Sequence, residues 1–180
     1  ADIHNNLARL YKRLKMYDES IRHTKQSIEI YKLIGKEDYL ANFNNLGISY
    51  EDLGKEDSAI YFFRNCVKLA IKNEQKLGLY LASTNIAGAL TAKGQLDSAR
   101  YYLNLALNDS NLKDNPRYLL TVGVTDVQVL LNEGQHEIAL KKGLEYLQMA
   151  KATRWIKEEA NLYGHIQAAY AALGDFKEAY

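Results

Sequence analysis

Four histidines and one cysteine are the side chains best suited to metal or nucleophilic chemistry in this 180-residue chain. His4, His23, His136 and His165 are spread along it with no close ligand spacing, so the sequence predicts surface or hydrogen-bonded imidazoles rather than a metal site. Cys66 lies three residues after Phe63, on what reads as the buried stripe of a helix, and is expected to be a core thiol. There is no phosphate-binding loop, no His-Glu-x-x-His and no paired-cysteine metal motif. The chain is therefore read as non-catalytic, without cofactor or metal. Its 14 tyrosines could stack on bases, but a net charge of +1 supplies no basic surface, so they read as core and groove wedges and no direct binding of nucleic acid is expected.

What must position any functional side chain is a repeated element. Gly54, Gly94, Gly134 and Gly174 follow one another at intervals of 40 residues, and each is followed five residues later by an alanine: Ala59, Ala99, Ala139 and Ala179. Four residues before each glycine stand Tyr50, Leu90, Leu130 and Tyr170, and eight before stand Leu46, Ile86, Asp126 and Ile166. A weaker first copy carries Leu7, Ala8, Tyr11, Lys15 and Ser20. Leu46, Gly47 and Tyr50 share one helical stripe, Gly54 ends that helix, and Ala59 and Phe63 share a stripe of the next. Small Gly47 and Ala59 let the two helices approach, with Tyr50 and Phe63 filling the space beside them. A fixed period of this size is the mark of a repeat array.

The pattern resembles the tetratricopeptide repeat, W-x2-L-G-x2-Y followed by A-x3-F and a proline. Leu46, Gly47, Tyr50, Ala59 and Phe63 match it, and Phe43 stands at the tryptophan position. Two departures are plain. The period is 40 rather than about 34, and the closing proline is missing, Pro116 being the chain's single proline. The resemblance covers essentially the whole chain and implies an all-α, right-handed superhelical solenoid of antiparallel helix hairpins.

The hairpins are expected at about residues 1–35, 38–74, 77–109, 116–152 and 154–180, the last incomplete and restarting after Gly174 with Asp175 as a cap. Residues 109–115 read as the longest loop, and Asn115 before Pro116 as a helix start. Val122, Val124, Thr125, Val127 and Val129 locally suggest a strand, but a strand inside a helical array has no sheet to join, so helix is retained. Asp126 falls where Leu46, Ile86 and Ile166 stand. Either the helix is rotated there and turns it to solvent, or it is a semi-buried carboxylate paired with Lys141 or Lys142. Val127 replaces the small residue beside it, and Gly143 stands where Phe63 does. Trp155 opens the fifth hairpin, either packing between repeats or standing exposed as a contact residue.

In proteins of the resembled family the concave groove lies on the first helices, beside the core stripe. Carried onto this sequence, it takes Asn5, Asn6, Arg9, Lys12 and Arg13, then Asn44, Asn45, Ile48, Glu51 and Asp52. Leu81, Thr84, Asn85, Gly88 and Thr91 follow, and then Thr121, Val124, Thr125, Gln128 and Leu131. Asn6, Asn45 and Asn85 share one repeat position. Amides there could bond the backbone of an extended peptide, or bond one another between repeats beside a solvated charged face. Asn6, Arg9, Arg13 and Asn45 partly resemble a carboxylate-gripping groove, but Glu51 and Asp52 place acids where the resemblance calls for bases.

The expectation is a scaffold that binds a protein or peptide segment, which could be another domain of the same polypeptide. Its long period resembles the sensory or interaction domains of bacterial signalling and transcription regulators, which implies a cytoplasmic setting; a stand-alone adaptor is the alternative. No apolar run approaches the roughly 20 residues of a membrane span. The chain starts without methionine and stops inside a repeat, so it reads as part of something longer. Tyr163, Ile166, Tyr170 and Leu173 form a stripe at the C-terminal edge through which a homodimer is expected.

Overall fold

The computed structural model describes residues 1–36 and 39–175, and these form an all-α helical repeat. In chain order the helices are α1 (Asp2–Arg13), α2 (Tyr17–Leu33), α3 (Leu40–Asp52), α4 (Glu56–Lys72), α5 (Lys76–Ala92), α6 (Leu96–Leu107), α7 (Pro116–Asn132), α8 (His136–Thr153) and α9 (Ile156–Ala172). They fall into two compact units, Ala1–Ala89 and Leu90–Tyr180, the division passing through α5. The restart expected after Asp175 lies outside the described residues.

The turns explain the period. Gly54, Gly94, Gly134 and Gly174 all take φ between 67° and 81°, the left-handed region that a Cβ disfavours. Each closes its helix with the same pair of backbone bonds: Gly54 N–H to Glu51 O and Lys55 N–H to Tyr50 O in one turn, Gly134 N–H to Leu131 O and Gln135 N–H to Leu130 O in another. Lys15 holds the same conformation at φ 59° with the same bonding, so the first turn keeps the geometry without the glycine.

The Gly47 stripe is packed as its composition requires. A Cβ on Gly47 would lie 2.3 Å from the Phe63 ring, so only glycine admits that ring, and Phe63 and Ala59 are both fully buried. Tyr50 stacks in parallel on Phe62, ring centres 5.3 Å apart. In the fourth hairpin the pair is inverted. Val127 fills the glycine's place, and Gly143, at the phenylalanine's place, leaves room for Val127 and for Ile166 of α9. Valine is smaller than phenylalanine, so the exchange across the helix pair leaves a gap, and Ile166 fills it.

The strand-like run is helix. In the second unit α7 packs against α6, α8 and α9, and Leu120, Val122–Val127, Val129 and Leu130 are all buried. A helix packed on three neighbours carries apolar residues on most of its faces, so the valines record burial rather than a pleat. Asn115 caps α7, its Oδ1 accepting from Tyr118 N at 3.4 Å, with Pro116 at the first helical position. The segment read as a long loop before it contains a 3-10 turn at Ser110–Asp114, anchored by buried Leu112.

Candidate protein-binding face

In the first unit, hydrogen-bonded amides join the first helices of successive hairpins. Asn42 Nδ2 donates to Asn5 Oδ1 at 2.6 Å, and Asn5 Nδ2 donates to the Tyr31 hydroxyl at 3.4 Å. Asn85 Nδ2 donates to Asn44 Oδ1 at 2.7 Å, tying α5 to α3. Asn5, Asn44 and Asn85 therefore bond between helices, and among the described residues only Asn85 of the three amides at the shared repeat position does so. Asn42, fully buried, was missed because it lies on the core side of α3. Asn6 and Asn45 share a repeat position with Asn85 without sharing its bond: Asn6 is exposed and Asn45 half-buried.

The rest of that surface is open. Arg9 and Arg13 of α1 are exposed, Ile48 of α3 is half-buried, and Leu81 of α5 is 36% exposed. A Cβ built on Gly88 meets nothing, so another backbone could approach α5 there. Opposite charges face each other across α1 and α3. Desolvation lowers the Lys12 pKa, Asp52 opposes that shift, and Arg9 adds to it. Desolvation, then Asp52, raises that of Glu51. Acid and base are thus set side by side, rather than a block of bases.

Several positions carried over from the family pattern do not lie on an open surface. Thr84 and Thr91 are buried, and the Thr84 hydroxyl donates to Tyr80 O at 2.7 Å within its own helix. Val124 belongs to the core of the second unit, and Thr125, 9% exposed, donates to Thr121 O at 3.5 Å. Leu131 packs against that same core. The cause is that α7 packs against three other helices. On the fourth hairpin Thr121, Gln128 and Leu131 are half-buried, Leu131 against the core.

Asp126 is the semi-buried carboxylate of the sharper reading, and more: it is fully buried and ion-paired twice. Lys142 Nζ donates to one oxygen at 2.6 Å and Arg100 Nη1 to the other at 2.6 Å. Arg100 also grips Glu133 through Nε at 3.0 Å and Nη2 at 2.6 Å. That bidentate bond to Glu133 is the main reason the guanidinium pKa is raised. Lys142 was foreseen and Arg100 was not, because Arg100 comes from the preceding hairpin.

The histidines are less scattered in space than in sequence. His4 of α1 and His23 of α2 bring their Nδ1 atoms to 2.8 Å, and Tyr11 stacks on His23. Among the described residues no group of three or more His, Cys, Asp or Glu is placed to hold a metal. Cys66 is fully buried and burial pushes its thiol up to about 12, so it is a core thiol. Trp155 packs between repeats, against the core of the second unit. No described helix is long and apolar enough to cross a membrane. Hollows of 300, 320 and 310 Å³ at the α1–α2, α3–α4 and α7–α8 turns recur with the repeat and follow from its geometry.

Comparison with known proteins agrees with this architecture. Residues 1–72 match the family model described as tetratricopeptide repeat. None of the curated proteins matches the chain. Among solved structures, BtubC (BKLC) from P. vanneervenii superposes with a TM-score of 0.81 at 16% identity, over 98% of this chain and 74% of its own. A Podosopora anserina protein named for kinesin light chain, with nearly identical TPR-like repeats, gives 0.74 at 18% identity over 99% and 89%. A double mutant of MamA RS-1 gives 0.65 at 16% identity over 99% and 87%. These likenesses concern the fold. Repeats of this type are non-catalytic scaffolds for protein interaction. Residues 1–72 thus carry the tetratricopeptide-repeat pattern, and the 40-residue period and the helical-repeat fold continue the same architecture through the described residues.

Proposed function

We propose that the face made by α1, α3 and α5 up to Ala89 binds an extended segment of protein, supplied by a partner or by another domain of the same polypeptide. One observation carries the reading. Beside a stripe with Ala8, Leu46 and Ile86 at 2%, 1% and 0% exposure, the same three helices leave Arg9, Arg13, Leu81 and the gap at Gly88 uncovered. Alternating charge, a half-buried apolar residue and an open backbone suit a peptide read partly by its main chain and partly by mixed charge. The long period further supports a place in a larger cytoplasmic regulator of bacterial signalling or transcription, where this domain does the sensing or the docking.

The test is to select peptides from a random library on the full chain and measure their affinity for two variants. Arg9→Ala with Arg13→Ala, and separately Gly88→Leu, are expected to weaken binding by about tenfold each, near the threshold of a significant interface residue, with helicity unchanged. Unaltered affinity in both variants would move the site off this face.

A further inference from the structure

The first hairpin holds a group of ionisable rings that the binding face does not use. His4 Nδ1 and His23 Nδ1 are 2.8 Å apart, close enough for a hydrogen bond and too close for two N–H groups to face each other. Arg22 settles which ring donates. Its Nη2 lies 3.2 Å from His23 Nε2, and a guanidinium can only donate, so His23 Nε2 accepts. His23 therefore carries its proton on Nδ1 and donates to His4 Nδ1, and His4 carries its own on Nε2. Both nitrogens of His23 are thus committed, Nε2 accepting from Arg22 and Nδ1 donating to His4. Arg22 is held in place by Glu19, whose Oε2 accepts from Arg22 Nε at 2.9 Å and Nη2 at 2.6 Å.

We propose that the His4–His23 pair is a proton-operated latch between α1 and α2, closed while the rings share one proton between their Nδ1 atoms and released when acid supplies another. An added proton has two seats. On His4 Nδ1 it would oppose the His23 N–H, and on His23 Nε2 it would oppose Arg22. The first seat sets donor against donor and breaks the tie between the helices; at the second, Arg22 opposes the proton while Gln26 favours it. His23 is only 7% exposed, so water cannot readily take over the lost bond.

On balance the surroundings of His23 act in the same direction. Burial lowers the affinity of His23 for a proton, and Arg22 and His4 lower it further, against smaller opposing effects of Glu19 and Gln26. Tyr11 of α1 stacks on the ring at 5.3 Å. On the other side of α2, α3 meets it with Ser49 against Ser20 at 3.3 Å, and no α3 charge acts on His23 among the described residues. The sign follows. In the open or unfolded chain the imidazole takes a proton near its ordinary value of about 6.5. The contact is thus undisturbed above that pH and weakens as pH falls through and below it. His4 precedes Asn5, whose amide ties α1 to α3, so release would loosen one edge of the proposed binding face. Only that consequence rests on the function proposed above; the latch is read without any binding partner.

The experiment is a titration of the full chain from pH 8 to pH 5, following imidazole nitrogen shifts and the hydrogen exchange of α1 amides, corrected for the intrinsic pH dependence of exchange. His23 is expected as the Nδ1–H tautomer at pH 8. Protection of the Asn5–Leu10 amides should fall by about tenfold for each pH unit below about 6.5, where the open chain binds a proton that the closed pair does not. In His4→Gln, whose side-chain carbonyl accepts without titrating, the fall should vanish. Three results would overturn the latch: an Nε2–H tautomer at pH 8, α1 protection that stays level while His23 titrates, or an equal fall in His4→Gln. If His4→Gln does not fold, the tautomer and the level of α1 protection in the parent chain still decide.

Discussion

Asp126 shows how one residue out of pattern is accommodated. A carboxylate in the stripe occupied elsewhere by Leu46 and Ile86 would be costly if unpaired. Here both oxygens are bonded, to Arg100 from α6 and Lys142 from α8, so the residue ties three helices of the second unit. Replacing it removes the bonds and strands two cations. Both reach solvent, with side chains 25% and 39% exposed, so the penalty belongs at the low end for a broken buried pair. Asp126→Ala is expected to cost about 3 kcal/mol in denaturant unfolding, against about 1 kcal/mol or less for Lys142→Met, which leaves Arg100 in place. Equal costs for the two would mean that Asp126 is not the hub of the network.

At the scale of the element, the repeat keeps a filled contact rather than fixed residue types. Gly47 against Phe63 in one hairpin becomes Val127 against Gly143 in another. Gly47→Val alone drives methyl groups into the Phe63 ring and is expected to cost about 3 kcal/mol. Phe63→Gly alone leaves a cavity and is expected to cost about 4 kcal/mol. The double variant should cost clearly less than the sum, because the new side chain enters the space the ring leaves. Strict additivity in thermal or denaturant melts would show that the two residues do not share that space. This exchange was half legible in the sequence: register put Val127 and Gly143 opposite the expected types, but the contribution of Ile166 to the gap needed the packing of α9. The turns were legible, because left-handed glycines recur at a fixed interval. The pairing of His4 with His23 was not, since 19 residues and a turn separate them. Nor was the burial of Thr125 and Val124, which depends on how many neighbours α7 acquires and not on its place in the period.

For the whole molecule, the account is of a helical-repeat scaffold with one open face in its first unit and an incompletely covered helix in its second. On α9 the stripe read from sequence divides. Ile166 is buried in the core and Tyr170 packs on it, while Tyr163 is 49% and Leu173 41% exposed. We propose that two copies pair through this edge, with exposed Tyr163 as the residue whose change should break the contact. Sedimentation of the chain at high concentration should show dimers that Tyr163→Glu abolishes; a monomer at every concentration would refute the pairing.

The central claim is that α1, α3 and the first part of α5 form the binding face. Its most direct measurement is a hydrogen-exchange and amide-shift footprint of a library-selected peptide on the full chain. The account predicts that changes centre on Arg9, Arg13, Ile48, Leu81 and Gly88, with α4 and α8 unaffected. A footprint centred on the second helices of the hairpins, or on the inter-hairpin turns, would contradict it.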